Sequence, residues 1–238
     1  MMTRTIVSLA CLAALLVAGV APSFGQDDKP SAKEQEAKLI AVLKSDAPRK
    51  EKADACRELA LIGTKNSIAP LAELLGDEKL SHMARYGLEP NPDPAVDEAL
   101  RAALDKLKGR PLVGTIGSIG VRRDVKAVEA LSKLLRNTDS AVVQAAARAL
   151  GLIGTAAAAK ALEDNLAATP AANRLAHYEG LFRSAEALSA RGQRGEPIAT
   201  YQALEIYERL AKADVAPQVR NGASRKGRLL RQEQGPKL

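Results

Sequence analysis

Two ten-residue blocks, ACRELALIGT at 55–64 and AARALGLIGT at 146–155, agree at seven positions without a gap. Ala55, Arg57, Leu59, Leu61, Ile62, Gly63 and Thr64 recur as Ala146, Arg148, Leu150, Leu152, Ile153, Gly154 and Thr155. Each block is followed by a second apolar-periodic stretch, NSIAPLAELL in one case and AAAKALEDNL in the other. Such self-similarity restricts the fold more than any short motif, because a helix–turn–helix unit buries its apolar side only against neighbouring copies. The 91-residue offset between the blocks divides into three units of about thirty residues.

The intervening sequence has that form. LSHMARYGLE (80–89) reads as a first helix, PNPDP as a turn and AVDEALRAALDKL (95–107) as a second helix. RPLVGTIGSIG (110–120) and VKAVEALSKLLRN (125–137) make the next pair. First helices are therefore expected to begin near 50, 80, 110 and 140. Prolines 70, 90, 92, 94 and 111 lie mostly at turns or first helical turns, where the missing N–H costs least. Composition agrees: the chain is 46% hydrophobic but only 3% aromatic, so alanine and leucine carry the apolar content and favour helices.

The blocks resemble the HEAT-repeat family, particularly its short bacterial form, which also occurs in bilin-lyase-like proteins. The likeness spans roughly residues 48–168 and rests on A-x-x-A-L-x-x-I-G followed by a turn and A-x-x-x-L-x-x-L. Arg148, Leu150, Ile153 and Gly154 carry it best, with Arg57, Leu59, Ile62 and Gly63 close behind. The second unit departs from the pattern, with a proline-rich turn and no Ile-Gly pair. The resemblance implies an all-α fold: a right-handed α-solenoid of stacked antiparallel helix pairs with capping helices at both ends. On this reading, residues 26–47 are a linker and an N-terminal capping helix, SAKEQEAKLIAVLKSD. Residues 169–238 are a helical hairpin, similar to a single tetratricopeptide unit, followed by a last helix and a basic tail.

The first 25 residues stand apart. MMTR is a short basic start, TIVSLACLAALLVAGVA is an uninterrupted apolar run, and PSFGQDD returns to polarity through small residues. This is the pattern of a secretory signal peptide, with cleavage expected after Gly25. An uncleaved membrane anchor is the alternative; a lipid attached at Cys11 fits less well, because Ser8 stands where the motif wants leucine. Export places the mature protein in the periplasm or outside the cell, with no transmembrane helix. Its single cysteine, Cys56, excludes an internal disulfide and falls among the apolar positions of a helix, as a small buried hydrophobe would. Arg4 is the only charged side chain in the leader, so export lowers the formal charge of +7 by one.

No catalytic constellation emerges. Gly114, Gly117 and Gly120 precede Arg122 and Arg123, but neither a preceding strand nor G-K-[ST] accompanies them, so this is no phosphate loop. Repeat register instead puts them on a helix, with Gly120 as its C-cap and with Gly114 and Gly117 admitting Met83 and Tyr86 of the preceding helix. Asp124 reads as an N-cap. One cysteine and two separated histidines, His82 and His177, supply no zinc site, and Glu163 and Asp164 point apart. No cofactor is expected. The candidate binding residues are His82, Arg85 and Tyr86 on one short helix, with Arg122, Arg123 and Lys126 at a turn beside a helix N-terminus.

These features favour a non-catalytic, monomeric scaffold that binds another protein along its side-by-side second helices, drawing on Lys108, Arg122, Arg123, Lys126, Lys133 and Arg136. A second reading is an acidic polymer or anionic envelope surface held by basic residues such as those of RKGRLLRQ, given a pI near 9.5. Nucleic acid is not the expected polymer, because the protein is exported and nearly lacks aromatic stacking platforms. The resemblance also implies a bilin-lyase-like enzyme as a third reading, against which the leader and the scarcity of aromatics both argue.

Overall fold

The Ile-Gly-Thr triplets at 62–64 and 153–155 each turn one helix into the next. Ile62 and Ile153 are the last helical residues, Gly63 and Gly154 are the C-caps, and Thr64 and Thr155 are N-caps accepting from the backbone N–H of Asn66 and Ala158. One residue to stop and one to start is enough because the threonine hydroxyl satisfies a helix donor that would otherwise be orphaned. The two glycines differ in conformation: Gly154 is left-handed at φ 63°, whereas Gly63 is extended at φ −64° and ψ 131°.

The structure is a computed structural model and describes residues 30–194 and 197–234. The leader read at 1–25, with its cleavage after Gly25, lies outside the described residues, as do the last four residues of the tail. The described residues form twelve α-helices and two 3-10 turns, with no strand among them. The helices are α1 (Ala32–Lys44), α2 (Arg49–Ile62), α3 (Lys65–Glu73), α4 (Ser81–Leu88), α5 (Ala95–Ala103) and α6 (Gly109–Arg122). They continue with α7 (Val128–Leu134), α8 (Ser140–Ile153), α9 (Ala156–Leu166), α10 (Ala171–Gln193), α11 (Pro197–Lys212) and α12 (Pro217–Gln234).

The helices stack as two rows, giving an α-solenoid. Even-numbered helices lie one upon the next, α2 on α4, α4 on α6, α6 on α8 and α8 on α10; in the odd row α1 packs on α3, α3 on α5 and α7 on α9. The rows close against each other through α1·α2, α3·α4, α5·α6, α7·α8, α8·α9 and α9·α10, with α10·α11 and α11·α12 continuing the pattern to the C-terminal end. The core is the seam between the rows, where Leu59, Leu75, Leu100, Ile116, Leu131, Leu150, Leu162 and Leu188 are fully buried. Burial of each of these residues contributes roughly 1.5–3 kcal/mol. Cys56 belongs to this seam, and burial pushes its thiol up to about 11.

Glycines set how closely the even row stacks. A β-carbon on Gly120 would lie 2.8 Å from the Cα of Ala149, one on Gly151 would lie 2.8 Å from the Cα of Gly180, and one on Gly87 would meet the Cys56 carbonyl at 3.0 Å. This corrects the expectation for Gly120. It is not a cap: α6 continues to Arg122, and the left-handed cap residue is Arg123 at φ 53°. Gly120 is where α8 crosses α6. The start of the following helix also differs, since Val125–Ala127 is a 3-10 turn before α7, although Asp124 does cap it by accepting from the Lys126 N–H.

Polar contacts about one unit apart lace the stack. Glu36 of α1, 3% exposed, accepts from the backbone N–H and the hydroxyl of Thr64 at 2.6 and 2.9 Å. Asn91 donates to the carbonyls of Gly63 and Thr64, both at 3.2 Å, and Ser140 donates to Asn173 at 2.5 Å. These bonds satisfy groups at the helix ends that stacking removes from water.

Candidate functional site

The sequence candidates fall on two neighbouring helices of the even row and on the turn after the second. His82, Arg85, Tyr86 and Glu89 follow the spacing i, i+3, i+4, i+7 and so share one face of α4 and its C-cap. His82 and Tyr86 are exposed, and Arg85 and Glu89 are half-buried. Arg122 closes α6, Arg123 caps it, and Lys126 is exposed in the 3-10 turn. The turn meets the end of α4 through Arg122, whose Nη1 donates to the Glu89 carbonyl at 2.8 Å and to the Asn91 carbonyl at 2.6 Å.

Arg122 is not a surface recognition point. Its Nε also donates to Asp97 at 2.5 Å, and its side chain is only 10% exposed. A guanidinium whose donors reach one carboxylate and two helix-end carbonyls ties α4, α5 and α6 together. Sequence alone cannot distinguish Arg122 from Arg123, because the distinction depends on which of the two falls on the last helical turn. Other basic residues expected to face a partner are also engaged. Lys133 pairs with Glu129 at 2.9 Å, and Arg136 donates to Asn165 at 2.7 Å. Arg123 and Lys126 keep exposed side chains.

His177 is buried, its ring set between the Asn173 carbonyl at 3.2 Å and the Thr169 hydroxyl at 3.1 Å. Burial holds its pKa below the ordinary histidine value. Glu163 and Asp164 do point apart, to Arg209 and Lys160 respectively. Among the described residues, no three His, Cys, Asp or Glu side chains gather as a metal site would require. No helix among them is long and apolar enough to cross a membrane.

Grooves open between helices of the same row, at α3–α5, α9–α11 and α10–α12. The first, about 850 Å³, is floored by Ile68, Ala69, Ala72, Ala99 and Ala102, with Lys65, Glu73, Glu98 and Lys106 on its rim. The last, about 510 Å³, lies between α10 and the start of α12, beside Leu175, Phe182 and Val219. The first groove lies on the side-by-side second helices, the surface expected to bind, although none of its lining residues is among those expected to do so. Its signal was nonetheless present, as alanines at outward positions of both second helices, where a helix in contact with nothing more commonly carries long polar side chains.

At Gly114 the nearest atoms belong to Arg85, and not to Met83 or Tyr86 as expected. A β-carbon on Gly114 would stand 2.3 Å from Cζ of Arg85 and 2.4 Å from its Nη1. Gly117, one turn further on, faces open space, with nothing within 4 Å of such a carbon. Burial lowers the pKa of Arg85, and the charge of Glu89 opposes that shift.

The family model for HEAT repeats matches residues 98–181, from α5 into α10. No curated protein matches the sequence. Among solved structures, one engineered protein is 22% identical over 83% of this chain and 96% of its own, with a TM-score of 0.47. A second engineered protein is 22% identical over 84% of this chain at a TM-score of 0.47, and the match spans 58% of its length. A third is 24% identical over 84% of this chain and 99% of its own, at a TM-score of 0.42. Residues 98–181 are thus similar to HEAT repeats, and the repeated Ile-Gly-Thr turns and the two rows of stacked helices give the chain a HEAT-like α-solenoid architecture.

Proposed function

We propose that the protein is an exported, non-catalytic scaffold that binds a segment of another protein along its odd-numbered helices, in the groove between α3 and α5. The observation that carries this reading is the groove itself, an alanine floor of about 850 Å³ with charges of both signs on its rim. Alanine leaves room for a partner's side chains and loses little side-chain entropy on contact. A mixed rim suits a protein segment with one apolar face better than a uniformly charged polymer. Export rests on the leader sequence, and the expected state is a monomer.

Binding of an acidic polymer or anionic envelope surface is the second reading. It is supported by α12, where Arg220, Arg225 and Arg228 are exposed and make no ion pair among the described residues. One set of variants tests both. The mature protein, carrying a photo-crosslinker at Ala69, is used to recover partners from envelope extract, alongside Ala102→Glu and Arg225→Gln/Arg228→Gln variants. The scaffold reading expects a crosslinked protein that Ala102→Glu abolishes and the arginine pair does not. The second reading expects no protein crosslinked at Ala69, and steeply salt-dependent retention of the mature protein on heparin that Ala102→Glu keeps and the arginine variant loses.

A further inference from the structure

Arg85 lies on the even row, away from the α3–α5 groove, and its position is unusual for an arginine. Its guanidinium rests directly on Gly114, where any side chain would displace it. It is half-buried, yet no hydrogen bond or ion pair from it exists among the described residues. Arg122, eight residues beyond Gly114, shows the contrast, with its donors on Asp97, Glu89 and Asn91. The acid closest in charge to Arg85 is Glu89, whose carboxylate instead accepts from the Ser118 hydroxyl at 2.6 Å. The guanidinium's five N–H donors are therefore partly stripped of water and have no protein partner among the described residues. One turn further along the same face of α6, Gly117 faces open space.

We propose that Arg85, seated over Gly114 and next to the open space over Gly117, receives the carboxylate of a ligand from outside the molecule. A half-desolvated guanidinium gains more from a planar, bidentate anion than a fully hydrated one does, since part of the desolvation cost is already met in the free protein. The ligand is a singly charged carboxylate and not a phosphate or sulfate. Arg85 carries one positive charge, and the neighbouring carboxylate of Glu89 repels a dianion more strongly than a monoanion. The open space over Gly117 leaves room for the short stem that carries the carboxylate. The carboxylate comes from a free short-chain acid, the C-terminus of a polypeptide or an acidic side chain.

The test follows the Nε–H resonance of Arg85 in the mature protein, labelled with 15N-arginine and assigned by loss in Arg85→Gln. Sodium propionate, propionamide and sodium sulfate are titrated in turn. The expected result is a saturable shift with propionate that neither propionamide nor sulfate reproduces. Gly117→Ala puts a methyl group into that open space without touching Arg85 and favours the helix, so it is expected to raise the melting temperature and weaken propionate binding about tenfold. Absence of a saturable shift with propionate overturns the proposal, as does equal binding of sulfate or propionamide. Unchanged affinity in Gly117→Ala overturns it as well. Two tripeptides, one with a free C-terminus and one blocked at both ends around a central glutamate, give the origin of the carboxylate. Tighter binding of the first, of the second, or of neither relative to propionate supports the proposal and assigns a polypeptide terminus, an acidic side chain or a free acid. Partner recovery through the α3–α5 groove is read separately, so failure at Arg85 leaves that reading untouched.

Discussion

At the scale of single residues, adjacent arginines have opposite roles. Arg122 is 10% exposed and joins three helices, while Arg123 is exposed and holds the left-handed cap. Arg122→Ala strips Asp97 of its cation and two carbonyls of a donor, and is expected to cost about 3 kcal/mol of unfolding free energy. Arg123→Ala removes no contact and is expected to stay within about 0.5 kcal/mol of the parent. Chemical denaturation of both variants checks this, and equal midpoints would sink the assignment of Arg122 as a structural tie. His177 makes a pH prediction. Its folded pKa lies below the ordinary value of 6.5, so at low pH the unfolded protein takes up the proton more readily than the folded one. Stability from this group is thus complete above 6.5 and falls as the pH drops below it. The melting temperature is expected to decline between about pH 7 and pH 5, and to decline less in His177→Gln.

At the scale of elements, glycine governs the spacing of the even row, and its consequences depend on what faces it. Gly120 meets backbone, the Cα of Ala149 at 2.8 Å, which cannot swing aside as a side-chain tip can. Gly120→Val is expected to force α6 and α8 apart and cost about 3 kcal/mol, measured by denaturant midpoint. A neutral outcome would mean the helices do not cross there. Gly117, three residues earlier, faces open space, which is why the same class of substitution is expected to help the fold there and to cost only the ligand. Within one helix, then, two glycines of identical propensity differ in surroundings, one admitting α8 and one facing open space.

At the scale of the molecule, two rows of helices share one seam, and function is left to the outward faces. The odd row presents the alanine-floored groove, the even row presents Arg85, and α12 ends the stack with a largely basic surface. The sequence by itself determined the architecture. A recurring I-G-T turn with leucines at helical spacing can bury its apolar side only by stacking, so the helix pairs and the seam were legible from 55–64 and 146–155 alone. It also identified Asp124 as a cap and Cys56 as buried, because capping and helical periodicity are local properties. The tertiary structure alone decided which charges are free. Whether Arg122 is tied, Gly120 is crossed and Arg85 is left without a partner depends on the rotation of one helix against the next. That rotation is set by side-chain contacts between units about thirty residues apart, and no local pattern encodes it.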